Sequence, residues 1–130
     1  MDKALEFYHD LLGLNIQGKT NEKDDFISKL LNSKNVELKT IKLAADDNST
    51  RLELLQFINS KSPKTKKITL FEPGFTHISL TVKNLEELYL HLIKFNVNFN
   101  CPPLISQDGN LKVAFCRDFE GNYLELTEEI

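Results

Sequence analysis

Residues 113–129 read VAFCRDFEGNYLELTEE. An apolar run, VAFC, precedes a central DFEGN, and polar and apolar residues alternate after it. The Gly and Asn of DFEGN are typical turn residues, so the segment predicts two strands joined by a tight turn. Successive strand side chains point to opposite faces of a sheet. Leu124 and Leu126 therefore share one face of the second strand, and Glu125 lies on the other face.

Two other predicted strands present a polar residue in the same way. Glu53 is flanked by leucines in the strand predicted at residues 50–58, and His77 lies in the apolar strand predicted at residues 75–82. A buried polar side chain without a partner is costly, so such residues are tolerated where they converge. Two carboxylates and an imidazole suit a divalent metal ion such as Zn²⁺, Ni²⁺, Co²⁺, Mn²⁺ or Fe²⁺. We therefore expect Glu53, His77 and Glu125 to be metal ligands.

Each of these three residues also has a structural alternative. Glu53 can pair with Lys39 or Lys42 of the neighbouring predicted strand. His77 can be a core histidine that hydrogen-bonds to the backbone, and Glu125 can be a solvent-facing residue near the charged end of the chain. Convergence of all three at equivalent strand positions favours the site.

The composition limits the class of protein. The chain has 130 residues and 15.0 kDa, which fits one domain or two small modules that share a core. It is 41% hydrophobic with nine Phe, so we expect a packed core. A net charge of −3 gives no electrostatic signal for nucleic acid. We find no membrane-spanning stretch or signal-peptide pattern, and expect a soluble cytoplasmic protein with no membrane partner. Cys101 and Cys116 are expected to be reduced thiols without a ligand role.

The predicted elements repeat in two halves. The first half contains a helix at 2–12 that Gly13 ends, a short strand near 15–20, a helical turn at 24–31, and strands at 36–44 and 50–58 joined by a turn at 46–49. The second half contains the strand at 75–82, a helix at 85–95 capped by Asn84, a short strand near 97–100, a loop at 101–108, and strands at 111–117 and 123–128. The order is β-α-β-β-β in the second half, and the first half lacks the opening strand. We expect a first module at 1–60, a lysine-rich linker at 61–69 and a second module at 70–130.

Four segments together resemble the vicinal oxygen chelate superfamily, which includes glyoxalase I, bleomycin-resistance proteins and extradiol dioxygenases. These segments are ALEFYHDLLGL, IKLAADDNSTRLELLQF, FTHISLTVKNLEELYLHL and VAFCRDFEGNYLELTEE. The most specific part is a D-x-[DE]-G-N-x-x-E-L motif at 118–126, in which Phe119 stands where the family often has Pro. Glyoxalase I-like proteins are the most similar members.

The resemblance implies an α+β fold in which two βαβββ modules pair into a curved open sheet around one divalent metal ion. The metal positions lie on the first and last strands of each module, and three of them match Glu53, His77 and Glu125. The fourth belongs to the opening strand that the first module lacks, about seven or eight residues before Met1 by the internal repeat. We expect that the protein either begins upstream or has lost this strand.

The resemblance also implies a function. We expect a glyoxalase-like, metal-dependent lyase or isomerase that acts on a small carbonyl compound such as a glutathione hemithioacetal, with the metal as Lewis acid. Glu125 is the first candidate for the base and Glu53 the second. A homodimer is expected. Open alternatives are a metal-free ligand-binding or antibiotic-resistance module, an epimerase and an extradiol dioxygenase. Residues 105–111 depart from the glycine-rich, lysine-containing segment of glyoxalase I. This departure argues against recognition of a glutathione adduct.

Overall fold

The strand pattern of the sequence becomes two sheets in the computed structural model, which describes residues 1–45, 50–60 and 69–130. The chain divides into two compact units, Met1–Lys64 and Thr65–Ile130, hereafter unit 1 and unit 2. The turn predicted at 46–49 and all but the last residue of the linker predicted at 61–69 lie outside the described residues. The predicted module boundaries remain predictions.

Unit 1 begins with a helix and continues with a three-stranded antiparallel sheet. Its elements are α1 (Asp2–Leu5), a π-helical segment (Glu6–Leu11), β1 (Asn15–Glu22), α2 (Asp25–Leu30), β2 (Leu38–Ala44) and β3 (Arg51–Phe57). The strand order is β1-β2-β3, with a bulge in β1 between Ile16 and Gly18. The central strand β2 has buried side chains on both faces. Ile41 and Leu43 are buried on one face, and Thr40 and Ala44 are buried on the face that also carries Lys42.

The N-terminal helix differs from the predicted one in the face that it buries. The apolar residues at helical spacing in 2–12 predict packing through Leu5, Tyr8 and Leu12. Only Tyr8 of these is buried, together with Phe7 at 0% exposure and Leu11. The reason is the π-helical turn, in which the Leu12 amide donates to the Phe7 carbonyl at 3.0 Å. Such i to i−5 bonding widens the turn and rotates the buried face away from α-helical spacing. Gly13 ends the helix as predicted, at a φ of +77°.

Unit 2 has the βαβββ order with one short additional strand. Its elements are β4 (His77–Thr81), α3 (Leu85–Lys94), β5 (Asn98–Phe99), β6 (Leu104–Ile105), β7 (Leu111–Arg117) and β8 (Tyr123–Glu129). The order is β4-β8-β7-β5, with β6 also on β7. β4 runs parallel to β8, and the other pairs are antiparallel. One face of the sheet is fully or almost fully buried through Ala114, Cys116, Leu124 and Leu126. Two residues of α3, Leu85 and Leu92, are also fully buried.

Helix α3 is anchored at its N-terminus by two side chains. Asn84 is the N-cap, as predicted, and its side chain accepts a hydrogen bond from the Glu87 amide. The Glu128 carboxylate accepts from the backbone amides of Asn84 at 2.9 Å and Leu85 at 3.0 Å. Because the first amides of a helix have no partner inside the helix, a carboxylate there satisfies them and complements the helix dipole. Glu128 thereby fixes α3 to the end of β8.

The predicted α+β class is confirmed. The described part of unit 1 contains an N-terminal helix and three strands, with α2 between β1 and β2, where a helical turn is predicted at 24–31. Strand β6 lies inside the region predicted as a loop at 101–108, and that part of the prediction is wrong. No helix in the described part of the chain is long and apolar enough to cross a membrane.

Candidate functional site

The turn between β7 and β8 sets the register of the candidate site. The Asp118 side chain is 8% exposed, and its Oδ1 accepts from the amides of Glu120 at 2.9 Å and Asn122 at 2.8 Å. Its Oδ2 accepts from the Asn122 side-chain amide at 2.8 Å. Gly121 has a φ of +91°, which favours glycine. This closed turn brings Phe115 opposite Glu125 across the hairpin.

A cation–π contact reinforces the same turn. The Arg117 guanidinium lies 3.7 Å from the centre of the Tyr123 ring, and Arg117 Nη1 donates to the Gly121 carbonyl. Arg117 and Tyr123 are also paired across the two strands. The motif that carries the family resemblance is thus a turn-building motif, and its consequence for chemistry is the position of Glu125.

His77 and Glu125 come together on one face of the unit 2 sheet. In the parallel pair of β4 and β8, His77 is opposite Tyr123 and Ser79 is opposite Glu125, so His77 and Glu125 are diagonal neighbours on the same face. His77 Nε2 lies 3.7 Å from Glu125 Oε2. The side chains are 33% and 26% exposed, so both heads are half-buried and still accessible to a ligand.

Two further residues hold the imidazole. The Thr76 hydroxyl lies 2.9 Å from His77 Nδ1, a hydrogen-bond distance. The Phe115 ring contacts the imidazole edge to face, with centroids 5.3 Å apart and planes at 71°. With Nδ1 bound to Thr76 and one edge against Phe115, the ring directs Nε2 towards Glu125.

Glu53 has a different partner. It lies opposite Lys42 in the pair of β2 and β3, and its Oε1 is 3.1 Å from Lys42 Nζ. Of the two lysines considered from the sequence, the structure selects Lys42. Both side chains are about half-exposed, at 42% for Lys42 and 48% for Glu53. Convergence of Glu53 with His77 and Glu125 remains a prediction, because Glu53 belongs to unit 1 and the other two belong to unit 2.

The donors in unit 2 fit a divalent ion as two of its ligands. Ligands at bonds of about 2.1 Å lie about 3–3.6 Å apart around one ion, close to the separation of His77 Nε2 and Glu125 Oε2. Imidazole nitrogen and carboxylate oxygen are also the donor types that such ions accept. Over residues 1–45, 50–60 and 69–130, no group of three or more His, Cys, Asp or Glu side chains is spaced to hold a metal ion.

Other chemically capable groups lie apart from this pair. Cys101 is an exposed free thiol, and Cys116 is a buried free thiol on the core face. Burial, with a smaller contribution from the Asp118 charge, raises the pKa of Cys116 to about 12, so this thiol stays protonated. A polar surface cleft of about 480 Å³ in unit 1 is lined by residues of α2 and its flanks, among them Lys23, Asp24, Lys29 and Lys34. It contains none of the predicted site residues, and we assign it no role.

The comparisons with known proteins agree with the fold. The sequence model of the Glyoxalase/Bleomycin resistance protein/Dioxygenase superfamily matches residues 1–126. The chain belongs to this superfamily. Among solved structures, a glyoxalase family protein from Bacillus cereus is similar with a TM-score of 0.91 and 19% identity, over 100% of this chain and 87% of the other.

Two structures described as glyoxalase I are also similar to this superfamily member. Glyoxalase I of Leishmania major, described as trypanothione-dependent, has a TM-score of 0.66 and 24% identity over 99% of this chain and 78% of its own. Glyoxalase I of Zea mays has a TM-score of 0.67 and 18% identity over 98% of this chain and 42% of its own. At these identities the likeness shows the fold alone. A search of curated protein sequences gave no match.

Sequence reasoning missed two residues of the site. Phe115 could have been found by counting outwards from the 118–122 turn, since it and Glu125 are equally far from Glu120. Thr76 carries no such signal, because a threonine before a strand histidine is common in any half-buried strand.

Proposed function

We propose that this protein is a metal-dependent lyase or isomerase of glyoxalase type that acts on a small carbonyl compound in the cytoplasm. The observation that carries the proposal is the pairing of His77 Nε2 with Glu125 Oε2 at 3.7 Å on one half-exposed sheet face. These are the positions that the superfamily resemblance assigns to metal ligands, one on the first and one on the last strand of a module. The proposal does not choose among Zn²⁺, Ni²⁺, Co²⁺, Mn²⁺ and Fe²⁺.

In this proposal His77 and Glu125 hold the ion, and Glu53 is the third protein ligand. A bound divalent ion would act as a Lewis acid on a substrate carbonyl oxygen, which acidifies the adjacent C–H group. The protein supplies the geometry. The closed turn at Asp118 fixes the register of Glu125, and Thr76 with Phe115 fixes the imidazole.

Glu125 is the proposed base, and Glu53 is the second candidate. The Glu125 carboxylate lies beside the imidazole and opposite an aromatic ring, so it is partly shielded from water yet 26% exposed. A carboxylate in that position can take a proton from one carbon and return it to the neighbouring carbon, which is the proton movement of an isomerase. Its fixed backbone register keeps the oxygen near one point during both steps.

The substrate class is a small carbonyl compound, with a glutathione hemithioacetal as the first compound to test. The segment that departs from glyoxalase I forms a compact turn in this chain. Ser106, Asp108 and Asn110 hydrogen-bond to one another there, and no lysine lies among residues 105–111. Turnover of the glutathione adduct should therefore be compared with turnover of a small carbonyl compound that lacks the glutathione peptide. The comparison tests whether the protein recognises glutathione.

A metal-free binding module is the second candidate function. The observation that favours it is the ion pair of Glu53 with Lys42 at 3.1 Å, which engages the predicted third ligand. In this case the half-exposed face that carries His77 and Phe115 would bind an organic ligand. The two candidates differ in one measurable property, which is affinity for a divalent ion.

Metal titration with matched histidine variants tests the proposal. Calorimetry with Zn²⁺, Ni²⁺ and Co²⁺ should show one site in the native protein, and His77→Ala should abolish it. His91→Ala is the control, because His91 is exposed on α3, where it contacts the Phe95 ring, and is not one of the proposed ligands. Turnover of the hemithioacetal of methylglyoxal and glutathione is measured on the same samples. If the protein binds no metal ion but binds a small organic ligand tightly, the metal-free binding module is favoured.

We also propose that the protein is a homodimer. β3 is the last strand of its sheet, and in the part of the chain that the structure describes no strand pairs with its outer edge. An unpaired strand edge is a surface on which another chain can add a strand. Light scattering after gel filtration should give about twice the 15.0 kDa of one chain. A mass equal to one chain at micromolar concentration would refute the dimer.

A further inference from the structure

We propose that Thr76 is a positioning residue that hydrogen-bonds to His77 Nδ1 in either tautomer and so lets the tautomer change without movement of the ring. The inference rests on the proposed function only in its metal-binding part. Both nitrogens of the imidazole have a partner nearby. Thr76 Oγ1 lies 2.9 Å from Nδ1, and Glu125 Oε2 lies 3.7 Å from Nε2.

The two contacts constrain where the imidazole proton lies. A neutral imidazole carries its proton on one nitrogen, and an ionised carboxylate can only accept. Without a metal, a proton on Nε2 faces the Glu125 carboxylate, and Nδ1 then accepts a hydrogen bond from the Thr76 hydroxyl. The Nδ1 contact is within hydrogen-bond distance, whereas the Nε2 contact is longer than a hydrogen bond, so Thr76 is the closer partner of the ring.

A metal ion at Nε2 requires the other tautomer. The nitrogen that binds a metal must present its lone pair, so the proton moves to Nδ1. Nδ1–H then needs an acceptor, and the Thr76 hydroxyl oxygen at the same 2.9 Å provides it. A hydroxyl both donates and accepts and reorients by rotation of its hydrogen alone. A backbone carbonyl at this position would permit only the second tautomer.

The surroundings explain why the ring itself stays in place. The Phe115 ring contacts the imidazole edge at 5.3 Å between centroids, and Phe115 is held opposite Glu125 by the β7–β8 register. Loss of the Thr76 hydroxyl would therefore remove the partner of Nδ1 while it leaves the packing of the ring. The expected result is a weaker site, since loss of a residue that orients a metal ligand typically lowers metal affinity about 10–100-fold.

Two threonine variants separate the hydroxyl from the side-chain volume. Thr76→Val keeps the branched shape and removes the hydroxyl, and Thr76→Ser keeps the hydroxyl. Nitrogen-15 NMR of labelled histidine at about pH 8, above the usual histidine pKa, reports the tautomer of His77, with His9 and His91 as internal references. Circular dichroism and thermal unfolding confirm that each variant is folded. Calorimetry with Zn²⁺ gives the affinity.

The native protein should show His77 with Nε2 protonated before Zn²⁺ is added and Nδ1 protonated afterwards. Thr76→Val should bind Zn²⁺ about 10–100-fold more weakly, because Nδ1–H then has no acceptor, and Thr76→Ser should stay within about threefold of the native protein. An unchanged Zn²⁺ affinity in folded Thr76→Val would overturn the inference. If the native protein binds no Zn²⁺, the proposed function fails, but the metal-free spectra still decide the role of Thr76, since an unchanged His77 Nδ1 signal in Thr76→Val would show that the hydroxyl does not bond to the ring.

Discussion

Each unit carries a glutamate at the third residue of its last strand, and the two glutamates have different partners. Glu53 lies on β3 opposite Lys42, and Glu125 lies on β8 opposite Phe115. In unit 1 the lysine forms an ion pair with the carboxylate at 3.1 Å, whereas in unit 2 the carboxylate faces His77 at 3.7 Å. The residue across the hairpin therefore determines whether this glutamate is paired or available.

The two units differ also in the strand that lies beside the last strand. In unit 2, β4 runs parallel to β8 and contributes His77 to the same face. In unit 1, the described residues contain no strand at the corresponding edge of β3. A strand neighbour thus adds a metal-capable side chain to the glutamate of one unit, and the other unit satisfies its glutamate with a lysine from within the hairpin.

The largest expected effect is the loss of activity on removal of the unit 2 carboxylate. Glu125→Gln keeps the volume and removes the base, so turnover should fall about 10²–10⁴-fold. Glu53→Gln should cost less, because its carboxylate is already paired with Lys42. Steady-state rates on the hemithioacetal compare the two variants, with Glu129→Gln as the control at the exposed end of β8. An equal or larger loss in Glu53→Gln would reverse the assignment of the base.

The sequence predicted the strands well because alternation determines which face a side chain occupies. β7 is predicted and found at the same residues, Leu111–Arg117. Alternation places Glu125 on the face opposite Leu124 and Leu126, whereas its pairing with His77 requires that β4 and β8 are neighbours, which the family resemblance implied. The choice between Lys39 and Lys42 also lay in the residue numbers. In an antiparallel hairpin the numbers of opposite residues have a constant sum, and only Lys42 is as far from the 46–49 segment as Glu53.

Other features could not be predicted from the sequence. β6 has only two residues after Pro102 and Pro103, which is too short for a periodic pattern. The π-helical segment has the same apolar content as an α-helix, so the shift of the buried face to Phe7 had no signal. The capping of α3 by Glu128 depends on tertiary proximity, since Glu128 is more than 40 positions from its partners. The Thr76 contact joins neighbours in sequence, but it depends on side-chain rotamers that the sequence does not specify.

The next largest effect should be a loss of stability when the turn that positions Glu125 loses Asp118. Asp118→Ala should lower the free energy of unfolding by about 1.5–3 kcal/mol, because it removes the buried carboxylate that accepts hydrogen bonds from the amides of Glu120 and Asn122. Urea unfolding measures it. A loss below about 1 kcal/mol would mean that the turn holds its register without Asp118.

Asp108→Ala is the matched control for this turn. Asp108 accepts from the Ser106 hydroxyl and the Asn110 amide in a fully exposed turn, and these bonds lower its pKa from the usual 3.8. A lowered pKa in the folded state means that its contribution is present above pH 3.8 and is lost as the pH falls through the lower folded value. The Asp108→Ala deficit should be smaller than that of Asp118→Ala and should shrink in acid.

A smaller loss is expected at the anchor of α3, which unit 2 builds from its last strand. Glu128→Gln removes the charge that faces two helix amides and the nearby Lys112 ammonium at 3.8 Å. We expect about 1–2 kcal/mol of destabilisation, from charge-assisted hydrogen bonds at a helix N-terminus. Thermal unfolding should show it against Glu129→Gln, which alters an exposed carboxylate of the same strand. Equal melting temperatures for the two variants would show that Asn84 alone caps the helix.

The smallest effect on stability should come from substitution of Lys42. The effect of the same substitution on metal affinity tests whether the ion pair in unit 1 keeps Glu53 from binding a metal ion. Lys42→Met removes a half-exposed ion pair, and such pairs contribute only about 0–1 kcal/mol, so unfolding should change little. If Glu53 is a ligand, removal of the competing ammonium should raise Zn²⁺ affinity severalfold, because a positive charge beside the carboxylate disfavours a cation. Lys39→Met is the control, since Lys39 lies on the same strand opposite the neutral Gln56. Equal Zn²⁺ affinities for the two variants would mean that Glu53 takes no part in binding, and the site would then consist of the unit 2 pair with non-protein ligands.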